Sequence, residues 1–173
     1  MQFQKGDIGF VMHHDNRISR AIAWFMGSKW SHTTLVIDVG ERTYLSETSD
    51  YEVTIGWIER YILDPQVSME VYRLPDLSDA EKLEIVSRAL SQQERLYPYW
   101  QFISLGLRGL LKKVGIHIGN YMPWGYDCSE HVAYALVKTH YPELQKDPQD
   151  QDTEDFYQIV KNIPGISLVY SQN

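Results

Sequence analysis

From Ser31 to Val39 the side chains alternate, with Thr33, Leu35, Ile37 and Val39 on one face and His32, Thr34, Val36 and Asp38 on the other. A two-residue period of this length is the signature of an extended strand rather than a helix. Gly40-Glu41 then provides a turn into a second run, Arg42 to Thr48, so the natural unit is a β-hairpin. With a two-residue loop, Val39 pairs with Arg42 and Thr34 with Glu47, which puts Glu47 on the His32 face and diagonal to that histidine. A slip of one residue would send Glu47 to the opposite face, so the register decides whether the two side chains can meet.

Other signals surround the hairpin. Asp7 to Met12 is a short apolar run that reads as a strand, and Ser19 to Met26 continues the helical spacing of Ile18, Ile22 and Phe25 before Gly27 closes it. Met69 to Leu74 is a further strand. Ser78, with Glu81 three residues later, forms a capping box for a helix reaching about Gln92. The last clear helix opens at Asp127, whose carboxylate can cap the next turn; Glu130 holds the reciprocal position, and Val132, Ala133, Leu136 and Val137 supply the buried face. Phe156 to Asn162 reads as helix and Ile166 to Tyr170 as a closing strand after Pro164-Gly165. The expected architecture is α+β, an antiparallel sheet packed against the helix that bears Cys128. At 173 residues and 43% hydrophobic content, the chain suits one domain over 1–173.

Charge narrows the partners. Sixteen basic against 23 acidic residues give a net −7, which argues against a general polyanion binder, so nucleic acid is not an expected partner. Glu143 to Asp155 holds six acids and one lysine and reads as a solvated loop. Arg95 to Tyr126 is the reverse, with Arg95, Arg108, Lys112 and Lys113 and no acid. Within it, the basic and apolar stretch 100–118 is the candidate for a lipid or membrane surface, or else a helix lining a cleft. No apolar run is long enough to span a bilayer and the start of the chain has no signal-peptide pattern, so a soluble, cytoplasmic protein is expected.

A single cysteine excludes an intramolecular disulfide and a multi-thiolate metal site within the chain. Cys128 is therefore a structural thiol or a reactive one. At a helix N-terminus, unpaired amides and the helix dipole favour the thiolate, the nucleophilic form. Of the histidines at 13, 14, 32, 117, 131 and 140, His32 stands out because it opens the alternating strand. His131 is three residues beyond Cys128, but a Cys/His metal site would need ligands that no neighbouring spacing offers. No glycine-rich phosphate loop is present either, so neither metal nor other cofactor is expected. A cysteine on a helix N-terminus, a histidine on a strand and an acid on the adjacent strand form the nucleophile, base and orienter of cysteine hydrolases. Here His32 precedes Cys128 by 96 positions, the reverse of the papain order.

These pieces resemble a known family, the circularly permuted NlpC/P60 papain-like cysteine hydrolases of the YiiX/YebB-like type. The matching segments are Gly6-Asp7-Ile8-Gly9-Phe10, Gly27-Ser28-Lys29-Trp30-Ser31-His32, Tyr44-Leu45-Ser46-Glu47, Val71-Tyr72-Arg73-Leu74, Tyr97-Pro98-Tyr99 and Asp127-Cys128-Ser129-Glu130. They run in the family's order from about residue 5 to 140. Gly56 stands for the glycine after the second hairpin strand, while Trp100 departs from the acid of the family's Pro-Tyr-Asp segment. The resemblance implies a permuted papain-like fold, Cys128 as nucleophile, His32 as base and Glu47 as third polar residue. Tyr99, Asp127 and Ser31 would contact substrate.

The activity so implied is hydrolysis of an amide or peptide bond through an acyl-enzyme, on peptides or other small amide-containing substrates. A second reading starts from Asp127-Cys128-Ser129-Glu130-His131, which is similar to the Asn-Cys-Glu-His motif of lecithin:retinol acyltransferase-like proteins. It implies a thioester-forming lipid acyltransferase or phospholipase, although Glu47 stands where those relatives have a second histidine. A third is a binding module that keeps the fold without the chemistry.

Overall fold

In the computed structural model, which describes residues 2–49, 52–93, 111, 128–145, 147–148 and 151–173, the alternating run forms strand β2 (His32–Val39) and the run after it β3 (Thr43–Ser49). Thr34 lies opposite Glu47, as the hairpin arithmetic requires, yet Val39 pairs with Thr43 rather than Arg42. The reversal uses one residue more than a two-residue loop. An irregularity between Val36 and Asp38 absorbs that residue, so the pairing near His32 is unchanged.

Around the hairpin, β1 (Ile8–His13), β4 (Glu52–Trp57), β5 (Val67–Arg73) and β6 (Ser167–Gln172) complete a six-stranded sheet in the order β4-β3-β2-β1-β5-β6. Every neighbouring pair is antiparallel. The helices among the described residues are α1 (Arg17–Met26), α2 (Glu59–Ile62), α3 (Asp79–Leu90), α4 (Cys128–Leu136) and α5 (Thr153–Lys161), with a 3-10 turn at Pro142–Leu144. Their ends follow local chemistry. Asn16 accepts from the Ile18 and Ser19 amides at the start of α1, and Gly27 ends it at φ 66°, a left-handed conformation that glycine adopts without a Cβ penalty. Ser78 and Glu81 form the expected capping box on α3.

Both faces of the sheet are covered. On one, Ile8, Phe10, Leu35 and Ile37 pack with Ile85 and Ala89 of α3, Val132 and Leu136 of α4, and Phe156 and Val160 of α5. On the other, Val11, Val36, Leu45, Met69 and Val71 meet Phe3, Ile58 and Tyr61. Burying a leucine such as Leu136, which has no exposed surface, contributes roughly 2 kcal/mol. That packing fixes α4, and therefore its first residue, Cys128, against β2 and β3.

Beyond the hairpin turn, the structure departs from the sequence reading in two further places. The acidic segment is not a solvated loop throughout: Gln151, Asp152 and Thr153 are buried. Asp152 caps α5 by accepting from the Asp155 amide at 2.9 Å, and Glu154 and Asp155 lie in its first turn, where the helix dipole favours negative charge. Strand β4 and the short α2 were also not anticipated. The stretch 100–118 lies outside the described residues apart from Leu111.

Candidate functional site

His32 is the first residue of β2, and the residue before it holds the entry. The Ser31 amide donates to the Val11 carbonyl at 3.0 Å and its hydroxyl to the same oxygen at 3.4 Å. Ser31 is itself buried, turned toward β1. The partly buried His32 ring is then bound through Nε2 to Glu47 Oε2 at 3.0 Å.

Glu47 has no exposed surface, and an ionised carboxylate in that position costs several kcal/mol unless its oxygens are matched by donors. Three groups match them. The Tyr61 hydroxyl donates to Oε2, the oxygen that His32 meets, and the Arg60 guanidinium pairs with Oε1. Arg60 also donates to the Tyr61 hydroxyl at 2.8 Å. Gly56 leaves the room: a Cβ there would fall inside contact distance of Glu47 Oε1 and 3.0 Å from the Arg60 guanidinium. Burial works against the Glu47 charge, but His32, Arg60 and Tyr61 outweigh it and hold the carboxyl below its ordinary range. Burial likewise opposes charge on His32, yet hydrogen bonding and charge interaction with Cys128 and Glu47 prevail and push the ring up to about 10. The favoured state of this pair is an imidazolium on His32 with the Glu47 carboxylate as its partner.

Cys128 opens α4 and is half-buried. Its Sγ lies 3.8 Å from Thr153 Oγ1, and the next residue, Ser129, donates from Oγ to the Gln151 carbonyl at 3.2 Å. Three residues on, His131 is fully buried with Nε2 2.9 Å from Ser46 Oγ. Burial first, and then the charge of His32, lower it to about 4, so it is a neutral core histidine at pH 7.

The structure therefore brings together His32, Glu47 and Cys128 from three separate elements, with Ser31 behind the strand entry. Tyr99 and Asp127 lie outside the described residues. Sequence reasoning missed Arg60, Tyr61 and Thr153. The alternation of Val53, Ile55 and Trp57 around Gly56 marked the strand that delivers α2, whereas Thr153 carried no signal inside its acidic run. Among the described residues, no group of three or more His, Cys, Asp or Glu side chains is disposed to hold a metal ion. No helix there is long and apolar enough to cross a membrane.

No protein-family model matches the chain, and no curated protein matches it. A solved structure does: the metalloprotein yiiX from Escherichia coli O157:H7 is similar over 99% of this chain and 99% of that one, with a TM-score of 0.56 and 18% identity. At that identity the likeness is one of fold, and it extends along the whole α+β arrangement.

Proposed function

We propose that this chain is a cysteine hydrolase of amide or peptide bonds on a permuted papain-like fold, with Cys128 as nucleophile, His32 as its proton partner and Glu47 as the orienting acid. The observation that carries the reading is that one imidazole is engaged by both other members, with Nε2 on Glu47 at 3.0 Å and Cys128 favouring its charged form. With Nε2 committed to Glu47, Nδ1 is the nitrogen left to exchange a proton with sulfur. The order His32 before Cys128 and the fold likeness to yiiX support the permuted arrangement.

In this mechanism His32 holds the proton that Cys128 has lost, and the thiolate adds to the substrate's carbonyl carbon. The charge on oxygen is received at the N-terminal end of α4, where the helix dipole favours negative charge. The carbon–nitrogen bond then breaks as His32 gives its proton to the departing amine, leaving a thioester. Water, losing a proton to His32, attacks that thioester; the carbon–sulfur bond breaks, the acid leaves and the thiolate returns.

The solved neighbour is described as a metalloprotein. The described donor set here does not fit an ion, since no three His, Cys, Asp or Glu side chains are disposed to ligate one and Nε2 of His32 is already bound by Glu47.

Alkylation of Cys128 by iodoacetamide across pH, in the wild type and in His32→Ala, tests the reading without knowledge of substrate. Reactivity that persists about two pH units below that of an ordinary thiol, and is lost in the variant, is the expected result. Ordinary thiol behaviour in both proteins would sink it.

A further inference from the structure

From the contacts between α4 and the start of α5, we infer that Thr153 is a positioning residue for the Cys128 sulfur. The inference rests on the proposed role of Cys128 and adds to it a group that no motif marks. Thr153 is the first residue of α5, has no exposed surface and places Oγ1 3.8 Å from Sγ. Cys128 itself is half-buried, and the hydroxyl that meets its sulfur belongs to a residue with no exposed surface. A second bond fixes the same junction: Ser129 Oγ donates to the Gln151 carbonyl at 3.2 Å. The first turn of α4 is thus attached at two consecutive residues to Gln151 and Thr153, at the beginning of α5.

A hydroxyl beside a sulfur does chemistry that depends on the sulfur's charge. Toward a thiol the O–H is one of two possible donors and contributes little. Toward a thiolate it is the donor, and a hydrogen bond to an anion is roughly twice as strong as one between neutral groups. Thr153 therefore favours the thiolate and holds the sulfur in one rotamer. Among the described residues, several other ionisable groups lie near this junction. His32 and Glu47 approach from the sheet, and Asp152 uses its carboxylate on the Asp155 amide. On α4 itself, Glu130 is buried and His131 is neutral and bonded to Ser46.

The experiment is the pH profile of Cys128 alkylation in the wild type, Thr153→Val, Thr153→Ser and His32→Ala, with circular dichroism confirming the fold of each. Valine keeps the methyl group and the volume but removes the hydroxyl, so a packing role alone would leave the profile in place. The inference expects Thr153→Val to move the acid limb of the profile upward by about one pH unit, and so to slow alkylation on that limb by up to about tenfold. Thr153→Ser should restore it. If valine does not fold at this site, Thr153→Ala carries the same comparison. A low, His32-dependent wild-type profile that survives loss of the hydroxyl overturns this inference alone. An ordinary thiol profile, identical in wild type and His32→Ala, overturns it together with the hydrolase reading.

Discussion

Ser46 Oγ and His131 Nε2 lie 2.9 Å apart with neither residue exposed, so a buried hydrogen bond ties the strand bearing Glu47 to the helix bearing Cys128. Its position follows from strand alternation: Glu47 points to one face of β3 and reaches His32, so Ser46 points to the other, where α4 packs. One strand therefore serves both sides of the site.

His131 makes this tie sensitive to acid. Its folded-state pKa is lowered to about 4, below the ordinary 6.5, so the unfolded chain takes up the proton first and stability is lost as pH falls through that window. From pH 7 to 4 the loss from this residue is about 3 kcal/mol. Urea unfolding at the two pH values should show His131→Gln losing less than the wild type on acidification, although at pH 7 it is the less stable protein. Equal slopes would remove His131 from the account.

Tyr61 donates to the oxygen of Glu47 that also meets His32. Tyr61→Phe removes a hydrogen bond to a buried carboxylate, which costs roughly 2 kcal/mol. It also weakens one of the interactions that keep Glu47 ionised, so the carboxyl will protonate at higher pH than in the wild type. The acid limb of Cys128 alkylation should accordingly shift upward, and thermal unfolding should begin earlier. A variant as stable as the parent, with an unchanged limb, would show that the hydroxyl is immaterial.

Glu47→Gln keeps the shape but not the charge. His32 is raised to about 10, so its contribution to stability is complete below pH 6.5 and declines as pH rises through about 10. Glu47 is one of the groups that raise it, and the variant should lose less stability between pH 7 and 10 than the wild type. It also leaves Arg60 without its partner, a cost of about 2 kcal/mol at neutral pH given that Arg60 is partly exposed. Chemical denaturation at pH 7 and pH 9.5 measures both effects.

Gly56 is the space that Glu47 and Arg60 occupy. Gly56→Ala forces the carboxylate or the strand to move, costing about 1–3 kcal/mol and lowering the melting temperature by several degrees. Alkylation of Cys128 at low pH should fall in parallel because Glu47 is displaced from His32. If alanine is accommodated with neither change, the close approach has no bearing on the site.

Much of the framework could be read from local sequence because its causes are local. Alternation specified β2 and the turn after it led to β3, Ser78 with Glu81 specified the start of α3, and Gly27 the end of α1. The pairing of Thr34 with Glu47 was also derivable, though by a shorter turn than the one present; the extra residue in the reversal is offset by the irregularity after Val36. The acidic run showed the limit of such reading. Composition suggested solvent exposure, whereas Asp152 is a buried helix cap and Thr153 touches the cysteine.

By itself, then, the sequence determined which residue types could act and which elements carry them: Cys128 opening a helix, His32 opening a strand, and Glu47 on its face. Periodicity and capping act over a few residues and are written into neighbouring positions. Only the tertiary structure decided what surrounds those groups. Arg60 and Tyr61 reach Glu47 because α2 closes over one face of the sheet, and Thr153 reaches Cys128 because α5 packs beside α4. These contacts join positions 13 to 25 residues apart through packing, and no local pattern encodes a neighbour that burial of the two sheet faces brings into place.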